Sequence, residues 1–122
     1  MLLEDFVIKL YQMLSLEREA YMAKISIGIK PGTRVAAENW IKISKDIGLK
    51  TYDSLLNKKS SENLSNKEFY KILRNLEIEC NNNIADITSK MTDINTLYQQ
   101  LWNEKAKLLA YQTLMDEYPK EG

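Results

Sequence analysis

Apolar residues recur along the first two dozen positions at steps of three and four: Leu3, Phe6, Val7, Leu10, Met13, Leu14 and Tyr21. That spacing gathers side chains on one face of a 3.6-residue helix and predicts a first helix over about 2–25. Glu4 and Asp5 fall in its first turn, where carboxylates oppose the positive end of the helix dipole. Ile25, Ile27 and Ile29 alternate, but three positions are too few to establish a strand. The run Gly28-Ile29-Lys30-Pro31-Gly32-Thr33 holds two of the four glycines and one of the two prolines, and predicts a loop.

Ala36, Ala37, Trp40, Ile41, Ile47, Tyr52 and Leu55 resume the helical spacing and predict a second helix over about 34–57, with Thr33 as a candidate N-cap. Gly48 lies inside it. A mid-helix glycine costs up to ~1 kcal/mol relative to alanine, so it marks either a break or the close approach of another helix. The polar run 57–63 reads as a second loop. The third helix has a defined start: Ser65-Asn66-Lys67-Glu68 is a capping box, and Leu64 and Phe69 occupy the positions of a hydrophobic staple.

From Phe69 the apolar positions continue through Ile72, Leu73, Leu76, Cys80, Ile84, Ile87, Met91, Ile94, Leu97, Leu101, Leu108 and Met115, with no glycine or proline before Pro119. The steps are close to a heptad seam, yet one straight helix over 66–117 would be on the order of 75 Å long. A domain of this size has a radius of gyration of about 14 Å. The weakest stretch is Asn81-Asn82-Asn83, whose side chains compete for backbone hydrogen bonds, so the run is expected to divide there into helices over 66–80 and 84–117, with a continuous helix through the asparagines as the alternative. The second of these, roughly 50 Å long, outreaches partners of roughly 36 Å. Between 84 and 96 the apolar stripe is one residue wide. From 97 onward Tyr98, Trp102, Ala106 and Leu109 add a second stripe, wide enough for two neighbouring helices, which places that end in the core. The pattern therefore predicts a single all-α domain over 1–122. It is an antiparallel bundle of three to four helices with a long, coiled-coil-like C-terminal helix, overhanging its own bundle or pairing with another chain.

Composition narrows the chemistry. The 122 residues are 44% hydrophobic and 28% charged, with 17 basic and 17 acidic side chains, the profile of an ordinary globular domain. No histidine is present, which removes the imidazole ligands and the Ser–His or Cys–His relays of familiar metalloenzymes and hydrolases. Cys80 stands alone and reads as a small half-buried hydrophobe. Glu77 and Glu79, like Glu17 and Glu19, are two residues apart, which turns them away from each other on a helix. No catalytic residue, metal or cofactor is expected. The N-terminus lacks the basic and apolar regions of a signal peptide, and no apolar run reaches the about 18 residues of a membrane span, so the reading is a cytoplasmic protein without membrane contact. Asn63-Leu64-Ser65 matches a glycosylation sequon but has no secretory context.

Charge is uneven despite the zero sum. Residues 24–59 carry eight basic side chains against three acidic ones. Lys30, Arg34, Lys42 and Lys45 are candidate anion or nucleic-acid contacts, the first two in a glycine-bearing loop ahead of a helix N-terminus, although the spacing is not that of a phosphate-binding P-loop. The sustained seam, set beside the missing catalytic residue types, favours a non-catalytic helical interaction protein: an adaptor, assembly factor, chaperone or inhibitor. Its protein partner, a second copy in a homodimer, is expected on Ile84, Ile87, Met91, Ile94 and Tyr98. A nucleic-acid accessory role for the basic region is the alternative. Fourteen lysines against three arginines, with ten asparagines and twelve isoleucines, suggest an AT-rich genome of the kind many bacteria and phages have.

Overall fold

The computed structural model describes residues 2–24, 33–91 and 96–121. They form four helices, α1 (Leu2–Lys24), α2 (Thr33–Ser61), α3 (Asn66–Lys90) and α4 (Thr96–Glu117), with no strand among the described residues. The alternation at Ile25, Ile27 and Ile29 and most of the 28–33 loop lie outside the described residues. None of the four helices is long and apolar enough to cross a membrane.

The all-α bundle expected from the periodicity is present, but its divisions fall elsewhere. Thr33, expected as a cap, is the first residue of α2. That helix continues through the polar run expected as a loop and ends at Ser61. Lys58 and Lys59 occupy its last turn, where cations oppose the negative end of the dipole. Termination falls to Asn63, whose φ of 52° lies in the left-handed region. The Leu64 N–H reaches back to the Lys59 carbonyl (3.0 Å) and the Asn63 N–H to that of Ser60 (3.2 Å), the paired bonds of a Schellman motif.

Two residues later α3 starts as the sequence predicts. The Glu68 N–H donates to Ser65 Oγ (3.1 Å) and the Ser65 N–H to Glu68 Oε1 (2.9 Å). Lys59 holds the corner from inside, with Nζ donating to the Leu64 carbonyl (3.2 Å) and lying 5.1 Å from the centre of the Tyr118 ring. Ser65→Ala is expected to lower unfolding stability by about 1 kcal/mol in urea titrations at pH 7. The hydrogen bond from the Ser65 backbone, aided by the Ser65 side chain, holds the Glu68 carboxyl below its ordinary pKa. The stability this adds is present above the unfolded carboxylate pKa and lost as pH falls through the lowered folded value, and because the Ser65 backbone N–H is its main source, the alanine variant keeps most of it.

The expected break at Asn81–Asn83 is absent: α3 runs through it to Lys90. Asn81 and Asn82 point to water, and the amide of Asn83 donates to Glu104 Oε1 (2.7 Å), so none of the three need take a hydrogen bond from the helix backbone. The expected single helix over 84–117 is likewise divided. Met91 caps α3, with its N–H on the Thr88 carbonyl (3.3 Å), and α4 begins at Thr96 and packs back along α3. Thr88, Ser89, Thr92, Asp93, Asn95 and Thr96 crowd this stretch, all poor helix formers. The overhanging arm is therefore not formed.

What replaces it is a central helix. α4 packs against α1, α2 and α3, whereas α3 packs against α4 and touches the others at most marginally. Buried residues lie all round α4: Leu101, Trp102, Ala106, Ala110, Tyr111, Leu114 and Met115. Phe6, Leu10, Leu14 and Tyr21 of α1, Ala37, Tyr52 and Leu55 of α2, and Phe69, Leu73 and Cys80 of α3 converge on it. The α1, α2 and α4 helices form a triangle, and α3 is an outrigger laid along one side of the hub.

Candidate functional site

Because α2 and α3 part beyond their connecting turn, a gap remains between them with α4 as its floor. The hub's residues at Gln100, Asn103, Glu104 and Lys107 recur at three- and four-residue steps, which puts all four on one face, and they line this gap. Ile47 of α2 forms one wall and Asn83, Asp86 and Ile87 of α3 the other, around a cleft of ≈ 380 Å³. This polar strip lies on the side of α4 that faces the gap.

The polar groups are ordered by one another. Ser44, fully buried on α2, donates from Oγ to Asn103 Oδ1 (2.7 Å), which leaves the Asn103 amide nitrogen for the cleft. Glu104 is 8% exposed. Its Oε1 accepts from Asn83 Nδ2, which leaves the Asn83 carbonyl oxygen for the cleft, and its Oε2 pairs with Lys107. Asp86 pairs with Lys90 at 3.0 Å. Each charge lining the cleft therefore meets an opposite one, and what it offers a visitor is oriented amides with one isoleucine on either side.

Cys80 lies behind this cleft, 3% exposed, with its thiol donating to the Glu104 carbonyl (3.0 Å). Burial first, then the Glu104 charge, pushes the thiol up from its ordinary value to about 11. Thiolate chemistry at neutral pH is closed to it. Native protein at pH 8 is expected to react with a disulfide reagent only at the rate at which α3 lifts from α4, and completely in urea. Labelling of the folded protein as fast as free cysteine would contradict this packing. The sign of the pH dependence follows from the raised value: the neutral thiol's contribution to stability is intact below the unfolded thiol pKa and lost as pH rises through about 11.

The residues expected at a partner surface are divided between two helices. Ile84, Ile87 and Met91 lie on α3 and Tyr98 on α4, each partly buried against the core, while Ile94 is outside the described residues. Tyr98 turns inward to an aromatic group, its ring centre 4.7 Å from that of Tyr21 and 6.0 Å from that of Trp102. Among the expected anion contacts, Lys30 and the side chain of Arg34 lie outside the described residues. Lys45 pairs with the Tyr11 hydroxyl and sits 4.3 Å from the centre of its ring. Lys42 shares the outer face of α2 with Asp46, Lys50 and Asp53, a mixed-charge strip and not a basic one. Among the described residues no three metal-ligating side chains gather. Glu77 faces Arg74 and accepts from Gln112 (3.3 Å).

Periodicity did not point to the cleft: the apolar stripes read along this helix leave Gln100, Asn103 and Lys107 outside them. No protein-family model, curated protein or solved structure matches the chain.

Proposed function

We propose that the chain is a non-catalytic helical interaction module that binds a protein partner along the edge of α3. One observation carries the reading: α3 is covered by a single neighbour, so the apolar edge formed by Ile84 and Met91 is only half-buried, and Ile78 is 45% exposed on the same helix. Half-covered aliphatic residues on a helix held from one side are the material of a helix-packing interface. The partner is another protein or a second copy engaging α3.

A photo-crosslinking residue at Ile84, introduced in the cells that make the protein, is expected to give a discrete adduct. The same residue at Lys9, an exposed position of α1, is expected to give none. An adduct at twice the chain mass identifies a homodimer. Equal capture at both positions, or none at Ile84, overturns the reading.

A further inference from the structure

From the cleft on the α2 side of α3 we infer a second, independent capacity: a binding site for an uncharged planar molecule with an N–H and a C=O side by side, as in a lactam, a nucleobase or a primary carboxamide. The inference does not rest on the proposed partner surface, which lies along the edge of α3.

Three features select this chemistry. The first is orientation. Ser44 takes the Asn103 carbonyl oxygen and Glu104 takes the Asn83 amide nitrogen, so the cleft receives a donor from its α4 floor and an acceptor from its α3 wall. A ligand edge with one acceptor and one donor answers both, and the buried partners Ser44 and Glu104 hold the amides against the flips that would let them serve any visitor. The second is charge. Lys107 is matched by Glu104 and Asp86 by Lys90, so among the described residues no unpaired charge lines the cleft to draw an ion. The third is shape. Ile47 and Ile87 line the cleft from different helices, an aliphatic slot suited to the faces of a flat ring, and ≈ 380 Å³ is at the small end of ligand pockets.

The test uses the full chain and 2-pyridone, whose ring carries the required edge, with N-methyl-2-pyridone as the same ring without its donor. Amide-resolved NMR titration is expected to show saturable shifts of the Asn103 and Asn83 side-chain amides and of the Ile47 and Ile87 methyls. A fragment this small binds with a dissociation constant on the order of 1 mM. The N-methyl compound is expected to bind about tenfold more weakly, as the loss of one hydrogen bond dictates. Asn103→Leu removes binding of 2-pyridone, and Lys42→Ala, away from the cleft, leaves it unchanged. Uridine and nicotinamide then separate a nucleobase source from a carboxamide source by which binds more tightly. No saturable shift with any of these probes, or equal affinity for the methylated and unmethylated rings in the unaltered protein, overturns the assignment without reference to how any variant folds.

Discussion

Trp102→Ala is expected to lower the unfolding free energy by about 3–5 kcal/mol, the range for truncating a large aromatic in a packed core. Trp102 is completely buried on the central helix. Its ring meets Tyr21 edge-on at 5.7 Å between centres, and Trp40 and Tyr98 each at 6.0 Å. One side chain thus joins α1, α2 and α4 at the end of the triangle where Tyr98 opens α4. The cavity left by alanine cannot be filled by sliding one helix, because three are braced against the same indole. Against a total of roughly 5–15 kcal/mol for a domain, the loss brings the variant near the unfolding threshold. Urea titration followed by far-ultraviolet circular dichroism reads it, and a variant within 1 kcal/mol of the parent would show that the aromatic group is not the brace described.

A companion substitution in the same group goes the other way. Among the described residues the buried Tyr21 hydroxyl and Trp102 Nε1 have no hydrogen-bond partner. Burial, with Tyr98 beside it, raises the Tyr21 pKa. Tyr21→Phe keeps the ring contacts and removes a polar atom that was stripped of water, so stability is expected to stay level or rise by up to about 1 kcal/mol.

How far these features were legible in the residues differs from helix to helix. The start of α3 was fully legible, because Ser65 and Glu68 satisfy backbone donors locally and need no tertiary partner. The end of α2 was not: Asn57 to Ser61 are polar for lack of a neighbour, not for lack of helix, and the stop is made by Asn63, whose left-handed conformation an asparagine tolerates without announcing it. The three asparagines drew the division to the wrong place, since Asn83 spends its amide on Glu104 across a contact that exists only after α4 has folded back. The division lies ten residues further on, among β-branched and short polar residues, a weaker signal per residue but a longer one. The hub was half legible. The second stripe beginning at Tyr98 announced burial on two sides, and the third side, where Tyr111 and Met115 meet α3, follows from where α3 goes. For the cleft, no residue taken singly carries the signal: it lies in Ser44 and Asn103, fifty-nine positions apart, fixing one amide.

Gly48→Leu is the second large effect, expected to cost about 3 kcal/mol, the upper part of the range for overpacking. The sequence left two roles for this glycine, a break in the helix or the approach of another. The structure supports the second, with α2 unbroken and Gly48 buried within it. A Cβ placed there would lie 3.0 Å from Leu10 Cδ2 and 3.3 Å from Ala106 Cβ. These two contacts differ in how they can yield. Leu10 Cδ2 is the end of a flexible side chain and can swing by a few tenths of an ångström, while Ala106 Cβ is fixed to the backbone of α4 and moves only with that helix. Gly48→Ala therefore sets a helix-propensity gain of about 1 kcal/mol against a small readjustment of Leu10 and is expected to fall within about 1 kcal/mol of the parent. Leucine has no such outlet, and must push α1 and α4 away from α2 together. Combining Gly48→Leu with Leu10→Ala separates the two walls. If crowding against Leu10 dominates, the double variant is more stable than the sum of the single losses requires, with a coupling of about 1–2 kcal/mol in urea titrations. Strict additivity would instead place the obstruction at Ala106 and make the spacing of α2 and α4, not the seat of α1, the quantity that Gly48 sets.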